Sequence, residues 1–219
     1  MNGHSIFFSG ELLEPLPSGA LHWLSNDLLV VSDLHLGQSG RIARLGGALL
    51  PPYEVTETLT RLAADIDRTK PKTVLCLGDS FDDAEAAASL EHNHRATLAA
   101  LQAGRRWIWV EGNHDPGPND LGGTHLGEHR SGPFVFRHIA QTPCLVGEIS
   151  GHYHPKARVR SASRPCFIVD STRLMLPAYG CYTGGLNWTA PALRNLFSAQ
   201  ATAYLTGKRV LAVPVPRAA

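Results

Sequence analysis

Cysteine is scarce in this chain: Cys76, Cys144, Cys166 and Cys181 are the only four among 219 residues. None forms a CxxC pair, and their spacing suits neither a zinc ribbon nor a disulfide framework. They read as buried free thiols of a protein kept in a reducing cytosol, so a cytoplasmic location is expected. Long apolar runs are missing as well. Stretches such as Leu28 to Val31 fall far short of the roughly 20 residues a membrane-spanning helix needs. Met1 to Gly10 shows no basic region followed by an apolar stretch, so no secretory leader is expected. Neither sign of charge is in excess, with 20 Lys and Arg against 19 Asp and Glu. A net charge of +1 excludes a global basic field for nucleic acid and makes any anion binding local. Internal repeats and low-complexity segments are also lacking. With 43% hydrophobic and 18% charged residues, disorder is not indicated and a sizeable core can form. The length suits a single domain, residues 1–219.

What the chain does have is a regular alternation in its first half. Ile6 to Phe8 and Leu12 to Leu16 suggest an opening hairpin. Leu28 to Val31, Val74 to Leu77 and Trp107 to Val110 are short apolar runs of the kind that form buried strands. Between them, Pro51-Pro52 precedes a predicted helix from Tyr53 to Arg68, with Val55, Leu59, Leu62 and Ile66 on one face. A second helix is predicted over Ala84 to Leu101, capped by Asp82 or Asp83. This βαβαβ order predicts strands sharing one sheet with helical crossovers. The second half is rich in strands: Phe134 to Phe136, Val146 to Ile149, Cys166 to Val169, Arg173 to Leu176 and Arg209 to Val213, with one short helix over Ala192 to Ala199. The pattern by itself specifies α/β followed by a β-rich half.

Eleven histidines are the compositional oddity, and their placement matters more than their number. Four motifs sit where strands are expected to end: Asp33-Leu34-His35, Gly78-Asp79, Gly112-Asn113-His114-Asp115 and Gly151-His152-Tyr153-His154. Ligands of α/β sheets bind beyond the carboxyl ends of the strands, so these motifs are expected to converge. In extended backbone, residues two apart point the same way, which would let Asp33 and His35 grip one ion together, and likewise His152 and His154. Carboxylate, amide and imidazole donors suit manganese, iron or zinc better than calcium. Two such ions, about 3.5–4 Å apart in enzymes that use them, stabilise the attacking and leaving oxygens of an in-line displacement at phosphorus.

The ordered set DxH, GD, GNHD and GHxH resembles the calcineurin-like metallophosphoesterases. That resemblance implies a four-layer α/β/β/α sandwich and a dinuclear, metal-dependent phosphoesterase, manganese being the expected metal. It implies that Asp33, His35 and His154 hold the first ion, that Asp79 bridges, and that Asn113 and His152 hold the second with one further histidine. His138, ending the strand-like Phe134 to Phe136, is assigned that place, with His125 and His129 as rivals. His114 would face the substrate rather than a metal, as a donor or general acid, and Asp115 would orient that loop or His114. The second motif departs from the usual GDxxDR: here it is Gly78-Asp79-Ser80-Phe81-Asp82-Asp83, without the arginine. Asp82 keeps the acidic position but could equally cap a helix, and it is left out of the expected ligands.

A closer likeness is to the bacterial DNA-ligase-associated metallophosphoesterases. It is carried by Leu36-Gly37-Gln38-Ser39-Gly40-Arg41, Gly46-Gly47-Ala48-Leu49-Leu50-Pro51-Pro52-Tyr53, Gly147 to Pro155, Leu176-Pro177-Ala178-Tyr179-Gly180 and Thr183-Gly184-Gly185. It implies a nucleic-acid phosphodiester substrate, and association with a DNA ligase and helicase in repair.

Plainer readings stand beside these. Arg41 and Arg44 either clamp a substrate phosphate bidentately or lie in a solvated loop. Lys156, Arg158 and Arg160 either track a nucleic-acid backbone or form the polar outer face of a strand. Arg105 and Arg106 suit a helix end, Trp107 and Trp109 core packing, and Thr183 to Trp188 a turn near the site. His4, His22, His92 and His94 are expected to play no part. A phosphatase or nucleotide pyrophosphohydrolase acting on small molecules would use the same ligands. A non-catalytic, metal-stabilised interaction subunit would be expected to have lost some of them, and all are present.

Overall fold

The computed structural model describes residues 4–47, 51, 53–159 and 161–216. Residues 48–50, Pro52 and Arg160, which entered the reading above, lie outside the described residues. Two mixed sheets pack face to face. The first has seven strands in chain order: β1 (Ile6–Phe8), β2 (Glu11–Pro15), β3 (Leu21–Trp23), β4 (Leu28–Val31), β5 (Thr73–Leu77), β6 (Arg106–Val110) and β7 (Thr124–Leu126). β1 to β4 are antiparallel neighbours, and β4, β5, β6 and β7 run parallel. The second sheet is built from β8 (His129–Ser131), β9 (Phe134–Phe136), β10 (Glu148–Ser150), β11 (Lys156–Val159), β12 (Ala162–Val169), β13 (Arg173–Met175), β14 (Thr202–Leu205) and β15 (Leu211–Pro214). Its order is β15-β14-β12-β13-β10-β9-β8, with β11 paired to β12, and β10 runs parallel to both β9 and β13.

Why β4, β5 and β6 read as unbroken apolar runs follows from their burial on both faces. Leu28, Val30, Leu75, Leu77, Ile108 and Val110 meet Phe134, Phe136, Ile149, Phe167 and Leu174 between the sheets. Leu29, Val31, Val74, Cys76, Trp107 and Trp109 point the other way, under α2 (Glu54–Thr69) and α4 (His92–Gln102). The predicted face of α2, Val55, Leu59, Leu62 and Ile66, is buried there, each side chain contributing about 1.5–3 kcal/mol. The fourth layer is thin: α5 (Pro191–Arg194) and its flanking loops cover the outer face of the second sheet through Trp188 and Leu193. None of the described helices is long and apolar enough to cross a membrane.

Several expectations change in detail. The single helix predicted over Ala84 to Leu101 is two, α3 (Ala84–Ala88) and α4. Ser89 Oγ donates back to Glu85 O at 2.7 Å, and Arg95 Nη2 takes the carbonyls of Ala87 and Ala88, each at 3.2 Å. Side chains thus satisfy carbonyls that a continuing helix would have used. Leu90 drops into the core at the break. Asp83, not Asp82, is the N-cap, accepting from Ala86 N at 2.6 Å. The helix predicted over Ala192 to Ala199 shrinks to the single turn of α5. An unpredicted helix, α1 (Gln38–Arg44), carries Arg41 and Arg44. It buries no residue and so leaves no apolar periodicity in the sequence. β3, β7, β8 and β14 were also unpredicted, each only three or four residues long.

Candidate metal centre

All four motifs follow strands of parallel pairs: β4, β5, β6 and, in the second sheet, β10. Both sheets therefore present them at one rim. The first two are laced together by backbone: Asp33 N donates to Gly78 O (3.1 Å), His35 N to Asp79 O (3.0 Å) and Leu36 N to Ser80 O (3.0 Å). From behind, Tyr179 N donates to Ser32 O and Gly180 N to Asp33 O. The expectation that Asp33 and His35 share a direction through extended backbone is corrected. Asp33, His35, Asp79, His152 and His154 all have positive φ, between 45° and 70°. Five ligand candidates in the left-handed region are held there by surrounding hydrogen bonds, at a cost of order 1–3 kcal/mol each.

Three groups of donors have ligand atoms within 4.8 Å of one another: Asp33, His35 and His154; Asp79, His138 and His152; and His35, Asp82 and His114, the last made of side chains that flank the first two. In the first, His154 Nε2 lies 3.1 Å from Asp33 Oδ1. In the second, His138 Nε2 lies 3.2 Å from Asp79 Oδ2 and 3.0 Å from Asn113 Oδ1, with His152 Nδ1 at 3.2 Å. Asp79 Oδ2 is also 3.9 Å from His35 Nε2, so this carboxylate stands between the groups. His138 thus reaches Asp79, whereas His125 stacks on Trp109 and His129 on Phe136.

Hydrogen bonds set the tautomers. His138 Nδ1 donates to Leu77 O at 3.1 Å, leaving its Nε2 lone pair aimed at Asp79 and Asn113. His35 Nδ1 pairs with Asp82 Oδ1 at 2.8 Å, and its Nε2 is buried without a hydrogen-bond partner, as is that of His154. Lone pairs of imidazole, carboxylate and amide converging on one space call for positive charge between them. A divalent ion fits that donor set, and a carboxylate partner on the far ring nitrogen is the usual support of a metal-binding histidine.

The carboxylates respond accordingly. Burial pushes Asp33 upward, but His154, His138 and Ser32 together bring it below the ordinary carboxylate value. Asp79 is likewise opposed by burial, yet His138, the His114 N–H and His35 lower it to about 2. His35 and His138 are penalised by burial and still end raised, chiefly by the proximity of the Asp82 and Asp79 carboxylates at hydrogen-bond distance respectively.

His114 sits between the metal candidates and Asp82. Its N–H donates to Asp79 Oδ1 (2.9 Å), and its Nδ1 donates to Asp82 O (2.9 Å), leaving Nε2 free. Its ring meets that of His35 edge-on at 5.1 Å. Asp115 does not bond to the His114 ring: its carboxylate accepts from Ser80 N (2.7 Å), Phe81 N (3.1 Å) and Gly112 N (3.1 Å), tying the second motif to the third. Burial, opposed by those donors and aided by Asp79, raises it to about 6. Close approach explains Gly112, where a Cβ would fall 2.1 Å from Asp79 N and Oδ1. Gly185 packs on His154 O in the same way, which puts the segment Thr183 to Trp188 beside the site as expected, though it runs as irregular chain bridged to Lys156 through Asn187 rather than as a turn.

Arg41 and Arg44 lie on α1, not in a loop. Arg41 Nη1 is 3.2 Å from Asp82 Oδ2, and Arg44 Nη2 is 2.7 Å from Asp83 Oδ2. Asp82, missed as a functional residue, is 1% exposed and joins Arg41 to His35. The signal for it was present: of two adjacent acids just ahead of a helix, only one is needed for the cap.

The fold and this rim of donors define a metal-dependent hydrolase of phosphoester bonds. Residues 27–185 match the calcineurin-like phosphoesterase family model, and the chain belongs to that family. Among solved structures it is similar to the nuclease MPE of Pseudomonas putida, with 27% identity and a TM-score of 0.76 over 97% of this chain and 100% of that one. It is similar also to Yfce, a phosphoesterase from E. coli, with 10% identity and a TM-score of 0.43 over 86% of this chain and 99% of that one. No curated protein matches the chain.

Proposed function

We propose that this protein is a dinuclear phosphodiesterase that cleaves nucleic acid. The observation that carries the reading is the pair of donor groups meeting at Asp79, with the His114 ring beside them. Asp33, His35 and His154 would hold one ion. Asn113, His138 and His152 would hold the other, with Asp79 shared. Manganese is the first choice for a mixed oxygen and imidazole set, with iron or zinc as alternatives. Such ions, when bound, activate water for attack at phosphorus and neutralise the charge that builds there.

The chain's own residues do the rest. His114, held through Nδ1 by the Asp82 carbonyl, presents Nε2 to the substrate. As imidazolium it donates to a phosphoryl or leaving oxygen, a contribution of about 10²- to 10⁴-fold. Asp115 acts through position, by fixing the loops that carry Asp79 and His114. Arg41 and Arg44 keep 37% and 33% of their side chains exposed and would bind the substrate phosphate, exchanging part of their carboxylate pairing for it.

A nucleic-acid substrate is supported by the likeness to the Pseudomonas putida nuclease along nearly the whole of both chains. The segments shared with DNA-ligase-associated enzymes support a setting in DNA repair, with a ligase and helicase as partners. Three buried free thiols, Cys76, Cys166 and Cys181, suit the cytoplasm. Residues 1–219 would act as one calcineurin-like domain.

The test uses purified, manganese-loaded protein on bis(p-nitrophenyl) phosphate and on a single-stranded oligonucleotide. Turnover of both is expected. Asp79→Asn should lose turnover together with metal, and His114→Ala should lose turnover while keeping metal. Full activity in either variant refutes the mechanism.

A further inference from the structure

We propose that a cavity of about 420 Å³ beside the metal centre is a subsite for a backbone phosphate of the substrate strand, close to the bond being cleaved. The proposal rests on the nucleic-acid reading above and gives it a second point of contact.

Topology places the cavity on the same rim as the metal ligands. Its walls include Ser18 in the β2–β3 turn, Ala178 and Gly180 beyond β13, Pro165 on β12 and Thr206 just after β14. β3 is antiparallel to β4, and β12 is antiparallel to both β13 and β14. All these points therefore lie at the end of the sandwich where β4 and β10 deliver Asp33 and His152. The link is also covalent. Lys156, on the cavity wall, follows His154 by two residues, a reach of about 7 Å at most.

The lining chemistry is that of an anion site. Arg61 and Lys156 contribute cations, and among the described residues no carboxylate lines the cavity, while the Thr183 and Thr206 hydroxyls already donate to Gly180 O and Pro165 O. The Arg164 guanidinium stands at the rim, close enough to Gly207 that a side chain there would collide with it. Neither Arg61, Lys156 nor Arg164 forms an ion pair among the described residues, whereas Arg41, Arg44, Arg95, Arg137 and Arg173 all do. Arg61 is also fixed in place. Its Nη2 donates to Tyr179 O, its guanidinium lies 4.7 Å from the Tyr179 ring centre, and its Nε is buried without a partner. Lys156 Nζ gives one hydrogen bond, to Thr183 O at 3.0 Å, out of the three an ammonium can donate. Pre-set cations without a carboxylate partner among the described residues, around a space of small-ligand size, suit phosphate oxygens.

The experiment compares kcat/KM of the manganese-loaded protein for a thymidine dinucleotide, which has a single phosphodiester, and for a thymidine octanucleotide. The wild type is expected to prefer the octanucleotide by about tenfold or more, as one charge-assisted contact would provide. Lys156→Gln and Arg61→Gln should each remove most of that preference through KM. The salt dependence of octanucleotide turnover should then become shallower by about one in log–log slope. Arg61 also holds the Tyr179 carbonyl, so Lys156→Gln decides the matter if Arg61→Gln does not fold. A wild type without length preference, an unchanged preference in Lys156→Gln, or equal losses on both substrates would overturn the subsite. So would competition by inorganic phosphate with no length preference, which would assign the cavity to a free anion. If the wild type hydrolyses neither these substrates nor bis(p-nitrophenyl) phosphate, the phosphodiesterase reading fails instead. Octanucleotide affinity by fluorescence anisotropy then judges the cavity alone, and equal Kd values for wild type and Lys156→Gln would sink it.

Discussion

Replacing Asp82 separates support of the metal site from catalysis. Among the candidate metal ligands, the Asp82 carboxylate bonds to His35 alone, whose Nδ1 lies 2.8 Å away. In Asp82→Ala, that buried nitrogen loses its partner, at a cost of about 1–3 kcal/mol. Arg41 loses an ion pair that is partly solvent-screened and is worth at most about 1 kcal/mol. For a chain of this length each kcal/mol lowers Tm by about 2–4 °C, so the folded protein should survive. The larger effect falls on metal binding. With its far nitrogen unsupported, the His35 ring loses orientation and basicity, and affinity should drop by about 10- to 100-fold. Asp82→Asn should recover much of this, because its amide oxygen can still accept from His35, though the amide nitrogen would then face Arg41, donor against donor. The backbone carbonyl of residue 82, which holds His114, survives in both variants, so turnover at saturating manganese should return close to wild type. Manganese titration against a competing chelator, followed by bis(p-nitrophenyl) phosphate turnover at high metal, measures both quantities. Wild-type metal affinity in Asp82→Ala, or a turnover defect that excess metal does not repair, would refute this account.

Three other perturbations test different parts of the molecule. Gly78→Ala puts a side chain on a residue at φ +78° and within 2.3 Å of His138 Nδ1. Left-handed strain of about 1–2 kcal/mol and overpacking of about 1–3 kcal/mol should shift the urea midpoint downward and weaken metal binding at the His138 group. An unshifted midpoint would contradict the packing described. Burial pushes the Asp170 carboxyl upward, but N–H donors from Ser198, Thr172 and Arg173 and the Thr172 hydroxyl outweigh it and lower its pKa. A lowered pKa means its stabilisation is complete above the ordinary carboxylate value and is lost as pH falls through the folded value. Asp170→Ala should therefore be less stable than wild type near neutrality, with the gap in urea unfolding closing below about pH 4, and a gap independent of pH would count against it. Among the thiols, Cys76 and Cys166 are fully buried and pushed upward by that burial, Cys166 to about 12. Iodoacetamide on the native protein should label Cys144 first, as read by peptide mass spectrometry, and early labelling of Cys76 or Cys166 would show the core to be looser than described.

Much of the site was legible because metal chemistry restricts residue types and strand ends restrict their places. Asp33, Asp79, His152 and His154 stand in the four motifs, His138 was assigned through the family resemblance with two rivals, and the chain brings all five side chains together. The reason first given for Asp33 and His35 was wrong in kind, since their shared direction comes from left-handed backbone locked against Gly78 and Asp79 rather than from a pleated strand. Helix α1 left no trace because it buries nothing. The break between α3 and α4 depends on Arg95, which reaches back to carbonyls seven and eight residues earlier.

Local sequence was sufficient wherever one physical requirement acted on neighbouring residues: apolar runs for strands covered on both faces, a 3.6-residue period for α2, and donor types clustered at strand ends. Tertiary structure alone decided what depended on residues distant in the chain. It set His138 against Asp79 while His125 and His129 stack on Trp109 and Phe136, gave Asp82 to His35 and Asp83 to the helix cap, and turned Arg61 and Lys156 toward one space. Those outcomes depend on which backbone carbonyls, carboxylates and rings arrive opposite a side chain once both sheets have closed. Spacing along a sequence carries no term for such encounters.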